Sequence, residues 1–397
     1  MNTLRKIYCR AFQKAFHIAI PFLPYRKPKI AGSVRELPEI IMRHKCTHVL
    51  IITDGGIMKL GLTRRLEKAL KEAGIPYTIY DKTVANPTTV NVREALELYH
   101  KEGCDAIIGF GGGSSMDCAK AVGACAVKPN QSLAQMKGIL KVHKKLPLLM
   151  AVPTTAGTGS ETTLAAVITD ADTRYKYAIN DFPLIPRYAV LDPKVTLSLP
   201  PFITATTGMD ALTHAIEGYT TKAAWEMTDM FHIKAIELIS ENLRGAVENT
   251  PEGREGMAMG QYIAGMGFSN VGLGIVHSMA HALGAVYDTP HGVANAILLP
   301  TVMEYNADAT GDKYKYIAKA MGVKGVEDMT QEEYRKAAVD AVKKLSADVG
   351  IPADLKEIVK EEDLQFLAES AYADACAPGN PKDASVEDII GLYKSLL

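Results

Sequence analysis

The chain has 397 residues, with 44 basic against 45 acidic side chains and a net charge of −1. That balance excludes a protein built chiefly to grip nucleic acid or an anionic membrane, since both depend on a large basic excess. Apolar residues at 47% and charged residues at 22% fit an ordinary globular chain, divided at this length into two or three domains. Six cysteines, at 9, 46, 104, 118, 125 and 376, form no CxxC pair. Neither a disulfide framework nor a thiolate zinc cluster is expected, and a reducing cytoplasm is the simplest location.

Residues 1–35 carry Arg5, Lys6, Arg10, Lys14, Arg26, Lys27, Lys29 and Arg35 and no acidic residue. Leu4, Ile7, Tyr8, Ala11, Phe12 and Ala15 recur at helical spacing on the side away from the basic ones, which predicts a short amphipathic helix. It is expected to dock against the body or a partner subunit, with peripheral membrane contact as the alternative. The apolar stretch Ile18 to Leu23 is broken at Pro21 and falls far below the roughly 20 residues of a membrane span.

From His48 short apolar runs alternate with amphipathic segments. Strands are expected at Val49 to Thr53, Tyr77 to Tyr80, Ala106 to Phe110, Leu148 to Val152 and Tyr188 to Leu191. Helices are expected at Leu60 to Ala73, ended by Gly74, at Val92 to Lys101, ended by Gly103, and at Ser114 to Ala126. Such alternation implies βαβ units on a parallel sheet. Beyond Pro200 and Pro201 the strand signals fade, and long helical patterns run from Asp210 to the carboxyl terminus.

The strand at Ala106 runs into GGGSSMDCAK at 111–120, where glycines and a helix amino terminus present backbone N–H groups to a phosphate, with Ser114 and Ser115 as candidate caps. The spacing is not GxGxxG, and no GxxxxGK[ST] occurs. A second glycine-bearing turn, Thr154 to Glu161, follows the strand ending at Val152. Asp54, after VLIIT, falls at the same sheet edge, where a carboxylate accepts ribose hydroxyls and repels a 2′-phosphate. Three loops at one edge suggest a dinucleotide.

Asp210 and His214 stand one helical turn apart, His277 and His281 repeat that spacing, and His291 follows a proline. HSMAH lacks the glutamate of HExxH, so a zinc-peptidase reading fails. An aspartate with imidazoles suits a divalent first-row metal such as iron, zinc, manganese or nickel. Spacing alone leaves His281 as good a ligand candidate as its neighbours. A metal with a dinucleotide points to hydride transfer, the metal polarising an alcohol or carbonyl oxygen.

At GGGSSMDCAK, PTTAGTGSE, GMDALTHAIEGYTT and GFSNVGLGIVHSMAHALGAVYDTPHGVANAILLP the sequence resembles the iron-containing (group III) alcohol dehydrogenase family, most of all its lactaldehyde reductase and butanol dehydrogenase branch. The resemblance covers about Pro28 to Leu397. It implies an α/β Rossmann-like nucleotide-binding domain at 29–200 and an all-α metal-binding catalytic domain at 201–397, a dehydroquinate synthase-like architecture, after a basic extension at 1–28 that has no counterpart. It implies Fe(II), or zinc or another divalent metal, on Asp210, His214, His277 and His291, with His281 beside the nicotinamide as a proton relay. For NAD(H) it implies Asp54 and Asn86 at the adenosine and ribose, Gly112, Gly113, Ser114 and Asp117 at the pyrophosphate, and Thr154, Thr155, Thr158, Thr163 and Lys176 along the rest. Phe268 and Cys376 are candidates for the substrate pocket, and Gly55 and Gly56 are expected to loosen the loop after Asp54. Small alcohols or aldehydes are the implied substrates, in a homodimer or larger homo-oligomer that binds no nucleic acid. The alternatives are a dinucleotide-binding regulatory or membrane-associated module, and a polyol enzyme like glycerol dehydrogenase.

Overall fold

The computed structural model describes residues 27–397, so the expected basic amphipathic helix lies outside the described residues. The described residues divide into two compact units, 27–199 and Pro200–Leu397.

The first unit is built on a six-stranded, all-parallel sheet of order β1-β9-β6-β4-β2-β3. Its strands are β1 (Lys29–Ala31), β2 (Val49–Ile52), β3 (Tyr77–Tyr80), β4 (Ala106–Gly111), β6 (Leu148–Pro153) and β9 (Tyr188–Val190). The near-continuous apolar runs of β2, β4 and β6 follow from burial on both faces. Leu50, Ile52, Ile107 and Leu149 enter one core cluster, while Val49, Ile51, Ile108 and Met150 enter the other. Helices α1 (Leu37–Arg43), α2 (Gly55–Leu60), α3 (Arg64–Glu72), α4 (Thr89–Lys101), α5 (Gly113–Val127) and α6 (Leu133–Met136) connect the strands. Because β3 lies on one side of β2 and β4 on the other, the chain reverses direction at the carboxyl ends of β2 and β4. That is the switch point at which open α/β sheets bind ligands.

Several local expectations need correction. The helix read from Leu60 to Ala73 is two helices, broken where Gly61 takes φ 67°, a left-handed conformation that ends a helix. Gly55 and Gly56 do not loosen the loop after Asp54; they form the first turn of α2, which Asp54 caps through Oδ1 on the Ile57 amide at 3.0 Å. Ser114 and Ser115 do not cap α5, whose N-cap is Gly112. A second sheet, of order β5-β8-β7, was not anticipated: β5 (Gly138–Ile139), β7 (Ala165–Thr169) and β8 (Lys176–Asn180). Only two residues of β5 pair, and β7 and β8 alternate buried with part-exposed positions, so their apolar signal is weak.

The second unit is helical among its described residues. It contains α7 (Pro201–Thr220), α8 (Glu226–Val247), α9 (Pro251–Phe268), α10 (Ile275–Tyr287), α11 (His291–Asn306), α12 (Lys313–Ala320), α13 (Gln331–Asp348), α14 (Leu364–Ala373) and α15 (Val386–Lys394). The first helix begins at Pro201, with proline in its first turn, nine residues before the expected Asp210. From Met209 onward α7 is buried on every side, as a helix at the centre of a bundle must be. No described helix is long and apolar enough to cross a membrane.

Candidate active site

Helix α7 carries Asp210, His214 and Glu217 at i, i+4 and i+7, which places all three on one face. Helix α11, whose first residue is His291, packs against α7, and the first turn of α10 is tied to α7 through Glu217, which takes Val276 N and His277 Nδ1. Asp210, His277 and His291 each offer a donor atom within 4.8 Å of the others. His277 Nε2 lies 3.8 Å and His291 Nε2 3.6 Å from Asp210 Oδ1. His214 adjoins the group, its Nδ1 4.0 Å from Asp210 Oδ2 and its ring stacked on Phe268 at 4.3 Å. It does not join the set of three.

The donors fit a divalent ion. His277 Nε2 and His214 Nδ1 are buried with no hydrogen-bond partner. His277 Nδ1 donates to Glu217 Oε2 at 2.6 Å, which leaves the lone pair on the orphaned Nε2. A carboxylate that fixes the tautomer of a ligating imidazole is the usual support of such a site. Burial opposes ionisation of Asp210, yet its carboxyl lies below the usual range, with the Asn295 amide donating to it. Burial holds His277 far below its ordinary value, and neutral imidazole is the ligating form. Burial pushes Glu217 up to about 7, opposed by the N–H groups of Gly274 and Val276. Asn295 completes the group, its Nδ2 donating to Asp210 Oδ1 at 2.6 Å and lying 3.1 Å from His291 Nε2.

His281 faces the same cluster, its ring stacked on that of His291 at 5.4 Å. Its Nδ1 donates to Asp374 Oδ2 at 3.0 Å. Asp374 Oδ1 accepts from Cys376 N at 2.8 Å and Ser278 Oγ at 3.3 Å.

In the α/β unit, Asp54 and the two glycine-bearing turns meet at the switch point. Gly111 pairs with Pro153 on β6 and has φ 148°; a Cβ there would meet Ser115 Oγ at 2.6 Å and Asp54 Oδ2 at 3.5 Å. Thr155 lies over Gly112 and Thr158 over Gly113. No side chain caps α5, so its first amides face whatever occupies the edge. Thr154 is buried, its amide on Gly111 O at 3.0 Å. Asn86, at φ 56°, donates its amide to Ser114 Oγ at 3.2 Å and accepts Lys176 Nζ on Oδ1 at 2.7 Å. Two more of the expected cofactor residues are also hydrogen-bonded within the unit. Asp117 accepts Ser160 Oγ at 2.7 Å and Val167 N at 3.0 Å, and Thr163 Oγ1 accepts Lys120 Nζ at 2.9 Å.

The model of the iron-containing alcohol dehydrogenases matches residues 30–193, and that of the family's C-terminal part matches residues 204–397. The chain belongs to the iron-containing alcohol dehydrogenase family. It is 48% identical over 364 residues to lactaldehyde reductase of Escherichia coli (strain K12), covering 91% of this chain and 95% of that one. It is 38% identical over 379 residues to the NAD-dependent methanol dehydrogenase of Bacillus methanolicus, covering 95% and 99%. The crystal structure of a 1,3-propanediol oxidoreductase superposes with a TM-score of 0.91 at 38% identity, covering 94% of this chain and all of that one.

The resemblance read from the four motifs therefore holds, and the chain is an oxidoreductase of the alcohol dehydrogenase type with a Rossmann-like unit followed by a helical one. These relatives do not favour the regulatory-module or polyol-enzyme alternatives. Sequence reading missed Glu217, Asn295 and Asp374. Glu217 was visible as the seventh residue after Asp210 on one helix; Asp374 is 93 positions from His281 and left no local signal.

Proposed function

We propose that this member of the family interconverts small primary alcohols or diols with their aldehydes, passing hydride to and from NAD(H) with Fe(II) as the resident metal. The observation that carries the reading is the group of Asp210, His277 and His291 donors, with the lone pair of His277 Nε2 left unpartnered in a buried setting.

Asp210, His277, His291 and the adjoining His214 are the residues we assign to the metal. When bound, the ion supplies a Lewis acid that stabilises negative charge on the substrate oxygen. Glu217 orients His277, and Asn295 holds the Asp210 carboxylate in place. His281 exchanges the alcohol proton with solvent, its Nδ1 anchored on Asp374 so that Nε2 is the atom left for transfer. Phe268, stacked on His214, and Cys376 line the substrate side.

For the dinucleotide, we assign the amides of Gly112, Gly113 and Ser114 at the start of α5 to the pyrophosphate, with Thr154, Thr155 and Thr158 alongside. Asn86 and Lys176 stand beside them, and the Asp54 carboxylate takes the ribose hydroxyls and repels a 2′-phosphate. Asp117 and Thr163, already bonded internally, shape the loop from behind. We further assign residues 29–200 to the nucleotide and 201–397 to the metal and substrate. The free cysteines 46, 104, 118, 125 and 376 suit a cytoplasmic enzyme, and a homodimer or larger ring is the expected assembly, which sedimentation would check. Anaerobic turnover of short aldehydes with NADH, dependent on added Fe(II), tests the reading.

A further inference from the structure

Beside the Asp210 group lies a second set of donors with different chemistry. One ring nitrogen of His281, a carboxylate oxygen of Asp374 and the Sγ of Cys376 all fall within 4.8 Å of one another. They come from two places in the chain: His281 from the middle of α10, and Asp374 and Cys376 from the turn after α14, the helix that packs against α10.

The set is preorganised, because Asp374 receives the Cys376 amide, the Ser278 hydroxyl and the His281 imidazole together. It is reachable, with the His281 side chain 37% and the Asp374 side chain 21% exposed. It is also negative, since the Asp374 carboxylate belongs to the set and that of Glu217 acts on Cys376 as well. The same field that opposes a thiolate alone favours a dication arriving with it.

We propose that His281, Asp374 and Cys376 form a second, low-coordination site for a thiophilic divalent cation of the zinc class, distinct from the all-oxygen-and-nitrogen site on Asp210. Sulfur selects softer ions than the carboxylate and imidazoles next door can. On binding, the ion takes the place of the proton between His281 Nδ1 and Asp374 Oδ2, the imidazole proton moving to Nε2 so that no lone pair is left there. The Cys376 S–H proton passes to solvent as the sulfur–metal bond forms, and the three protein ligands leave a fourth position for water. Occupation removes His281 from proton exchange, so the cation is an inhibitor. That consequence rests on the role assigned to His281 above, whereas the binding does not.

The test is optical and needs no turnover. Iron-loaded protein, kept without oxygen, is titrated with Co(II), and the near-ultraviolet thiolate-to-cobalt charge-transfer band is followed. The band is expected to appear and saturate at one added equivalent, to be bleached by Zn(II), to be absent in Cys376→Ser and weakened in Asp374→Asn, and to persist in His291→Ala. Cobalt taken up by the Asp210 group produces no such band, because that group holds no sulfur, so failure of the catalytic reading leaves the outcome interpretable. No band in the unsubstituted protein, or an undiminished band in Cys376→Ser, overturns the proposal.

Discussion

Glu217 accepts the Nδ1–H of His277 on Oε2 at 2.6 Å and the amide N–H of Val276 on Oε1 at 2.7 Å. One carboxylate thus binds the first turn of α10 and fixes the tautomer of an imidazole on the same helix. Gly274 makes room for it, since a Cβ there would meet Glu217 Oε1 at 2.8 Å.

Glu217→Gln keeps the shape but cannot accept at both ends, because one terminus of an amide is a donor. Either Val276 N–H is opposed by an N–H, or His277 must move its proton to Nε2 and lose the lone pair a metal requires. Retention of Fe(II) against a competing chelator is expected to fall by about 10- to 100-fold with circular dichroism unchanged. Unaltered retention would show that Glu217 only anchors the helix.

Asp54 makes a separable prediction about the cofactor. Asparagine retains the oxygen that caps α2 while removing the charge that repels a 2′-phosphate. Asp54→Asn is expected to move the ratio of NADPH to NADH efficiency toward NADPH by about tenfold or more, which is about 1.4 kcal/mol. A ratio that does not move would place the discrimination elsewhere in the loop.

Lys120 is fully buried on α5, and burial lowers its ammonium to about 8. Its Nζ donates to Ser160 Oγ, Thr163 O, Thr163 Oγ1 and Ala165 O at 2.8–3.1 Å. Lys120→Met leaves these acceptors and the Asp117 carboxylate, 3.7 Å away, uncompensated. A loss of about 3–5 kcal/mol is expected in urea unfolding.

His232, on α8, is buried with neither ring nitrogen bonded. Its ring fits against α7 and α9 only because Gly218 and Gly267 carry no side chain there. Burial lowers its pKa from 6.5 to about 3. Protonation therefore favours the unfolded chain: the stability is complete above about pH 6.5 and is lost as the pH falls from there toward 3. Urea midpoints between pH 8 and pH 5 should fall less steeply for His232→Leu than for the unsubstituted protein, and equal slopes would contradict this.

The parts of the fold that sequence made legible are those whose physics is local. Strands β2, β4 and β6 are short apolar runs buried on both faces, and the glycine turn at 111–113 sits where a strand must become a helix. Asp210 with His214, and His277 with His281, share a helical turn, so their grouping needs no tertiary knowledge. The small β5-β8-β7 sheet was hidden because its strands are short and half exposed, and the break at Gly61 because the flanking residues keep a helical pattern through it. Asp374 and Asn295 acquire meaning only through helix packing that brings them to His281 and to Asp210.

The central claim, that the Asp210, His277 and His291 group holds a metal needed for hydride transfer, is tested most directly by metal replacement. Protein purified without oxygen and stripped of metal is assayed with NADH and short aldehydes while Fe(II), Zn(II) or Mn(II) is restored separately. His277→Ala is carried through the same series with NADH binding measured by fluorescence. The account predicts turnover restored by Fe(II), none in His277→Ala under any metal, and undiminished NADH binding in that variant. Turnover in the metal-free protein, or in His277→Ala, would contradict it.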